Sequence, residues 1–100
     1  MPLNLIAYSS FERSLKSLGP EQKEIVQRIV STLYAYYHSN CDLKEANKTE
    51  PRFFYKQLRK PYYETGVESK IRVIIERDKS NYYLILAGNH DQVKKFLAGQ

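Results

Sequence analysis

The densest group of side chains that could do chemistry lies in residues 52–60. This stretch carries four positive charges, no negative charge and three aromatic rings: Arg52, Phe53, Phe54, Tyr55, Lys56, Arg59 and Lys60. Lysine and arginine neutralise phosphates, and exposed aromatic rings stack on unpaired bases. In a strand, one set of these rings would pack in the core while the other lined a groove. The segment therefore favours a polyanionic partner, and the alternative is an ordinary strand with solvated charges.

Arg72 and His90 are two further candidates for chemistry at a phosphate. Arg72 lies in the alternating segment 70–77, which is typical of a strand, and a guanidinium held on a strand can clamp a phosphate through its fork of N–H donors. His90 directly follows an apolar run, and imidazole is the usual proton carrier near neutral pH. The alternatives are a salt bridge from Arg72 to Glu64 or Glu76, and a turn histidine without a catalytic role.

The rest of the sequence excludes several kinds of site. Cys41 is the only cysteine, so an internal disulfide and a multi-cysteine zinc site are impossible. The two histidines, His38 and His90, are far apart in the sequence, and the chain has no glycine-rich phosphate loop and no H-E-x-x-H motif. We therefore expect neither a cofactor nor a metal.

The excess positive charge belongs entirely to the second half of the chain. The net charge of the 100 residues is +5, with six basic and six acidic residues in 1–50 but ten basic and five acidic in 51–100. This asymmetry indicates a polyanion or an acidic protein as partner. No apolar run is long enough to span a membrane, and the N-terminus does not resemble a secretory signal, so we expect a cytoplasmic protein.

The elements that must position these residues begin with a strand and two helices. Residues 3–8 form a short apolar run that predicts a strand, and Ser9 and Ser10 are candidate caps for a first helix. Gly19 and Pro20 separate that helix from a second one over 21–38, where apolar residues recur with a 3.6-residue period. Residues 39–51 are polar and are expected to be a long connection.

Strand patterns dominate the second half. Four strands are predicted over 53–58, 62–67, 70–77 and 82–87, and Asp91 is the expected cap of a last short helix. We therefore predict a single α+β domain over residues 1–100. A helical hairpin should pack on one face of a small antiparallel sheet and leave the other face more exposed.

Several short motifs occur in the order and spacing of one known family. They are Phe11-Glu12-Arg13-Ser14-Leu15, the hairpin turn at Gly19-Pro20, Tyr55-Lys56-Gln57-Leu58, Tyr63-Glu64, residues 70–75 (KIRVII) and residues 84–91 (LILAGNHD). Together they cover nearly the whole chain and resemble the RelE/ParE superfamily of bacterial toxins from type II toxin–antitoxin systems.

The resemblance implies a function. RelE-like members are endoribonucleases (mRNA interferases) that cut messenger RNA on the ribosome without a metal, using the 2′-hydroxyl of the RNA as nucleophile, and an antitoxin neutralises them. One alternative is a ParE-like member, which inhibits DNA gyrase by binding and performs no chemistry. Another is an inactive binding module with the same fold.

The resemblance also implies roles for individual residues. Arg72 matches the strand arginine that acts on the phosphate, His90 occupies a position where relatives place an arginine or a histidine, and Glu64 is a candidate base. The side chains expected to hold RNA are Lys56, Arg59, Lys60, Lys70 and Tyr63. Phe96 replaces a tyrosine that is catalytic in some members, and a phenyl ring cannot exchange a proton. A nuclease would therefore need His90, Tyr62 or Tyr63 in its place. Arg72, His90 and a basic or tyrosyl side chain should then converge on one exposed concave face, within reach of a single phosphate.

Overall fold

The computed structural model describes residues 4–99, in which a five-stranded sheet carries helices on both faces. The elements in chain order are β1 (Asn4–Ala7), α1 (Ser9–Lys16), α2 (Pro20–His38), α3 (Leu43–Thr49), β2 (Phe54–Gln57), β3 (Tyr62–Gly66), β4 (Arg72–Asp78), β5 (Asn81–Gly88) and α4 (His90–Ala98). This order confirms the predicted α+β class. Within that part of the chain, no helix is both long enough and apolar enough to cross a membrane.

The sheet has the strand order β1-β5-β4-β3-β2. Strands β2 to β5 form the predicted antiparallel meander, and β1 lies parallel to β5, with Asn4 opposite Asn81. Position 3 of the predicted first strand falls outside the described residues. Along β4 the partner changes from Leu86 at Ile74 to Leu84 at Ile75, so Ile85 is an extra, bulged residue on β5.

The helical hairpin covers one face of the sheet. Helix α2 begins at Pro20, whose missing N–H is not needed in a first turn, and its stripe of Val26, Ile29 and Leu33 is buried against the sheet. The predicted serine cap of α1 is wrong. Tyr8 occupies the cap position, and Ser10 already lies inside the helix, where its Oγ donates to the Ile85 carbonyl at 2.6 Å.

The segment predicted as a long connection contains a short helix, α3. Its cap is Asp42, whose carboxylate accepts a hydrogen bond from the Lys44 backbone N–H at 3.0 Å. Ala46 is the buried residue of this helix, and one small apolar residue gives no periodic signal in the sequence. The Arg28 guanidinium of α2 binds the Glu50 carboxylate at the end of α3 through two hydrogen bonds.

The opposite face of the sheet, expected to be the more exposed one, carries a smaller core beneath α4. Val93 of this helix packs with Ile74 and Ile85, and partly buried side chains surround the three. The cap of α4 is Asn89, whose side chain accepts from the Gln92 N–H at 2.9 Å, so the prediction of Asp91 as cap is wrong. We call this side of the sheet the α4 face.

Candidate nucleic-acid interface

Arg72 and Glu64 form an ion pair on the α4 face. Arg72 begins β4, and Glu64 on β3 lies opposite Ile74, so the side chains of Glu64 and Arg72 share this face. The Arg72 Nη1 donates to the Glu64 carboxylate. Glu64 is only 3% exposed, whereas the Arg72 side chain is 22% exposed. The salt bridge considered from the sequence is therefore present, and it involves Glu64 rather than Glu76.

Lys56 lies next to this pair. It is directly opposite Glu64 in the β2–β3 register and therefore shares the α4 face, where its side chain is exposed. The group thus combines two cationic side chains with one carboxylate. A net positive charge remains on this part of the sheet and is available to a phosphate.

His90 and Lys70 lie at the end of the sheet beside Arg72. Both side chains line a shallow groove of about 410 Å³ whose other walls are Gln22, Ser69, Ile71, Asn89 and Asp91. His90 is two residues beyond Gly88, the β5 partner of Arg72, but Arg72 is not among the lining residues. The two candidates are thus close in the fold, and Arg72 borders the outside of the groove that His90 and Lys70 line.

The remaining predicted RNA contacts lie elsewhere. Arg59 and Lys60 are exposed in the β2–β3 turn, where the Pro61 carbonyl accepts from the Arg77 N–H at 3.0 Å. Arg77 lies five residue positions along β4 from Arg72, which corresponds to about 16 Å of strand. Basic side chains therefore extend along the sheet from the β2–β3 turn to His90, and we call this series the basic track: Arg59, Lys60, Lys56, Arg72, Lys70 and His90.

Tyr63 does not belong to the α4 face. It lies opposite Ile75 on the hairpin side of the sheet, where its half-buried ring stacks on Tyr55 with 5.2 Å between centroids. Phe96 packs edge-on against Tyr62 at 5.1 Å. Phe96 therefore packs in the smaller core beneath α4.

A layer of tyrosines between α2 and the sheet was not singled out from the sequence. The hydroxyls of Tyr37 and Tyr55 are 2.8 Å apart, and the Tyr37 ring stacks on Tyr82 at 3.9 Å. Burial raises the pKa of Tyr36 to about 12, and it also raises the pKa values of Tyr37 and Tyr55. These phenols stay protonated near neutral pH, so they act as packing and hydrogen-bonding groups rather than as proton carriers.

Groups of three or more histidine, cysteine, aspartate or glutamate side chains that could hold a metal ion are not found between residues 4 and 99. Lys70 and His90 of the basic track border the groove at the sheet end, whereas Arg72 has its own carboxylate partner.

Comparison with known proteins gives matches at the level of structure. No protein-family model and no curated protein sequence matches the chain. A RelB–RelE antitoxin–toxin complex from Methanococcus jannaschii contains a similar chain, with a TM-score of 0.62 and 15% identity, over 91% of this chain and 96% of that one. A copper-bound point mutant of a Helicobacter pylori toxin has a TM-score of 0.61 and 15% identity, over 92% and 99% of the two chains. At this identity the likeness concerns the fold.

Proposed function

Taking its RelE-like toxin fold as the premise, we propose that this protein is the toxin of a toxin–antitoxin pair and cleaves messenger RNA on the ribosome without a metal. The observation that carries the proposal is the Arg72–Glu64 pair, which holds a guanidinium on a central strand within the basic track. A fixed cation on a rigid strand is suited to a phosphate whose charge increases during cleavage.

The extent of the basic track favours a polymer over a small phosphate compound. Arg59 and Lys60 lie at one end of the sheet, Lys56 lies between the two ends, and Arg72, Lys70 and His90 lie at the other end. A single-stranded nucleic acid presents phosphates at regular intervals, so each part of the track can bind a different phosphate. Binding of this kind weakens steeply as salt increases.

In the proposed reaction Arg72 stabilises the phosphate. Arginine has five N–H donors, of which the Nη1 group holds Glu64, and the exposed part of the guanidinium contacts the phosphate oxygens. Glu64 is too deeply buried to meet a ribose hydroxyl. We therefore assign Glu64 the role of holding Arg72 in place, rather than the role of the base that its family resemblance implied.

His90 is the proposed proton carrier. The ribose 2′-oxygen attacks the phosphorus, the bond from phosphorus to the 5′-oxygen breaks, and the products are a 2′,3′-cyclic phosphate and a free 5′-hydroxyl. His90 takes the proton from the 2′-hydroxyl and passes it to the departing 5′-oxygen, so no proton is gained or lost overall. Its exposed position at the start of α4, next to the strand end that carries Arg72, suits this role.

The proposed protein partner is an antitoxin. One of the structural neighbours comes from an antitoxin–toxin complex. An acidic or amphipathic segment of the antitoxin would cover the basic track, since complementary charge steers association and excludes RNA from the same surface.

A second candidate function is inhibition of DNA gyrase by binding alone. Two observations favour it: Glu64 neutralises part of the Arg72 charge, and Phe96 packs against Tyr62 without a group that can exchange protons. A toxin that only binds its target needs the basic track but not a proton carrier.

The test is to add the purified protein to translating ribosomes, map new 5′ ends on the message, and run a gyrase supercoiling assay alongside. The wild type is expected to create new 5′-hydroxyl ends. R72K keeps the charge but loses the planar fork and should cleave about 100-fold more slowly. R77K is the matched control, because Arg77 lies on the same strand with its guanidinium over the Tyr82 ring.

The outcomes separate the candidates. Gyrase inhibition without new RNA ends supports the second function and contradicts the first. Activity in neither assay contradicts both and leaves the protein as a binding module. If R72K and R77K both cleave like the wild type, Arg72 is not the phosphate-stabilising group.

A further inference from the structure

Arg72 lies in a row of four residues that crosses the sheet on the α4 face. Phe54 on β2 is opposite Gly66 on β3, and Arg72 on β4 is opposite Gly88 on β5. Gly66 follows Thr65, which is opposite Val73, so Gly66 lies beside Arg72. Arg72 therefore has a glycine on each neighbouring strand, and neither glycine has a side chain that would fill the space beside the arginine.

The space above Gly66 is filled by the ring of Phe54. A Cβ atom at position 66 would lie 2.8 Å from the Phe54 Cε1, which is closer than real Cβ atoms approach. It would also make tight contacts of 3.1 Å with the Phe54 Cζ and 3.2 Å with the Ile71 carbonyl oxygen. The ring reaches across the glycine toward Arg72, whose Cζ is 5.4 Å from the ring centroid. At this distance a guanidinium and an aromatic ring attract each other.

The Arg72 guanidinium is thereby confined. Glu64 holds its Nη1, and Phe54 contacts it from the side of β2. The Arg72 Nε is buried and has no hydrogen-bond partner among the residues that the structure describes. Since no hydrogen bond at Nε fixes the guanidinium plane, the orientation of this plane depends on the ion pair with Glu64 and on the contact with the Phe54 ring.

We propose that Phe54, seated over Gly66, is a positioning residue that holds the Arg72 guanidinium in its orientation toward the RNA phosphate. The expected effect on catalysis rests on the proposed RNA cleavage. The positioning of the Arg72 guanidinium by Phe54 does not. Phe54 acts through Arg72 and does not touch the reacting atoms. A flat ring is required because it restrains the guanidinium plane, which an aliphatic side chain of similar volume does not do.

Replacing the ring should therefore affect the chemical step more than binding. F54L is expected to lower the single-turnover cleavage rate at saturating protein by about 10- to 100-fold, because a small misplacement of a catalytic group has an effect of this size. The protein concentration for half-maximal rate should change little, since the basic track is intact. F54Y keeps the ring and should restore the rate. F96L is the matched control, because Phe96 is another half-buried ring on this face and contacts Tyr62.

A second measurement does not depend on activity. In ¹H–¹⁵N spectra of the wild type, the buried Arg72 Nε–H should exchange slowly with water, and R72K identifies its signal by removing it. F54L should make this exchange fast, whereas F54Y and F96L should leave it slow. If F54L does not fold, G66A serves instead, since the added methyl group displaces the Phe54 ring.

The two measurements keep the proposals apart. If the wild type does not cleave RNA but F54L still accelerates exchange at Arg72, the proposed function fails and the positioning role of Phe54 stands. If the wild type cleaves and F54L changes neither the rate nor the exchange, the positioning role is overturned. Equal rate losses in F54L and F54Y, or in F54L and F96L, would also overturn it.

Discussion

Glu64 and Arg72 are joined by an ion pair in which the carboxylate is almost completely buried and the guanidinium is partly exposed. The two halves of the pair therefore have unequal effects on stability. Loss of the arginine leaves a buried charge without a partner, whereas loss of the carboxylate leaves a cation that still reaches solvent.

The first prediction follows from this inequality. R72A should lower the free energy of unfolding by about 3 kcal/mol, whereas E64Q should lower it by about 1 kcal/mol. Urea unfolding at neutral pH measures both. The double variant E64Q/R72A should lose less than the sum of the single losses, because the buried charge is gone. Equal losses of unfolding free energy in R72A and E64Q would contradict this interpretation. A loss in the double variant equal to the sum of the single losses would contradict it too.

The second prediction concerns His90. H90A should slow RNA cleavage without abolishing RNA binding, because His90 carries the proton in the proposed reaction and the five lysine and arginine side chains of the basic track remain. Rate and affinity are measured separately, by 5′-end mapping and by filter binding. H38A is the control, since His38 is the other histidine of the chain and lies at the exposed end of α2. An unchanged rate in H90A would remove His90 from the mechanism.

The third prediction concerns Gly88 and the start of α4. A Cβ at Gly88 would lie 2.4 Å from the Gln92 Oε1, and this oxygen accepts a hydrogen bond from the Asn89 N–H at 2.8 Å. G88A should therefore displace Gln92, break the capping box and lower stability by about 1–2 kcal/mol. Urea unfolding measures this loss, and amide exchange should increase in the first turn of α4.

The variant Q92A supplies the control for this prediction. It removes the side chain that the new methyl group would meet, so G88A should cost less in the Q92A background than in the wild type. If G88A has wild-type stability and unchanged amide exchange in α4, the Gln92 side chain does not prevent a larger residue from occupying position 88.

The fourth prediction concerns alkaline pH. Burial raises the pKa of Tyr36 to about 12 from an ordinary value of 10.0. A raised folded-state pKa contributes stability that is complete below pH 10 and is lost as the pH rises toward 12. The raised pKa values of Tyr37 and Tyr55 act in the same direction. Absorbance at 295 nm should show these phenols ionising together with unfolding.

Y36F tests the contribution of one phenol. Without a hydroxyl to ionise, this variant should lose less stability between pH 10 and pH 12 than the wild type does. An identical pH dependence in the two proteins would show that Tyr36 ionises equally well in the folded and unfolded states.

Periodic hydrophobic patterns predicted most of the fold. The 3.6-residue repeat located α2 within one residue of its start, and the four strand patterns correspond to β2, β3, β4 and β5. These elements bury continuous apolar faces, so their signals are strong. Helix α3 was missed because it buries Ala46 and little else.

The candidate site was harder to predict because it depends on the register between neighbouring strands and on the face of the sheet that each side chain occupies. Tyr63 and Glu64 are neighbours on one strand, and alternation places them on opposite faces. They therefore cannot line the same surface, although both were expected there. The partner of Arg72 was left open between Glu64 and Glu76, since both share its face, and the β3–β4 register decides between them.

The parallel pairing of β1 with β5 has a consequence for synthesis. Asn4 and Asn81, joined side chain to side chain, are 77 residues apart. A ribosome makes β1 early but completes the strand beside it only when residue 88 has been added. Until then the growing chain lacks both β5 and the Gly88 that borders Arg72. The surface that we assign to RNA therefore cannot assemble before residue 88 has been synthesised.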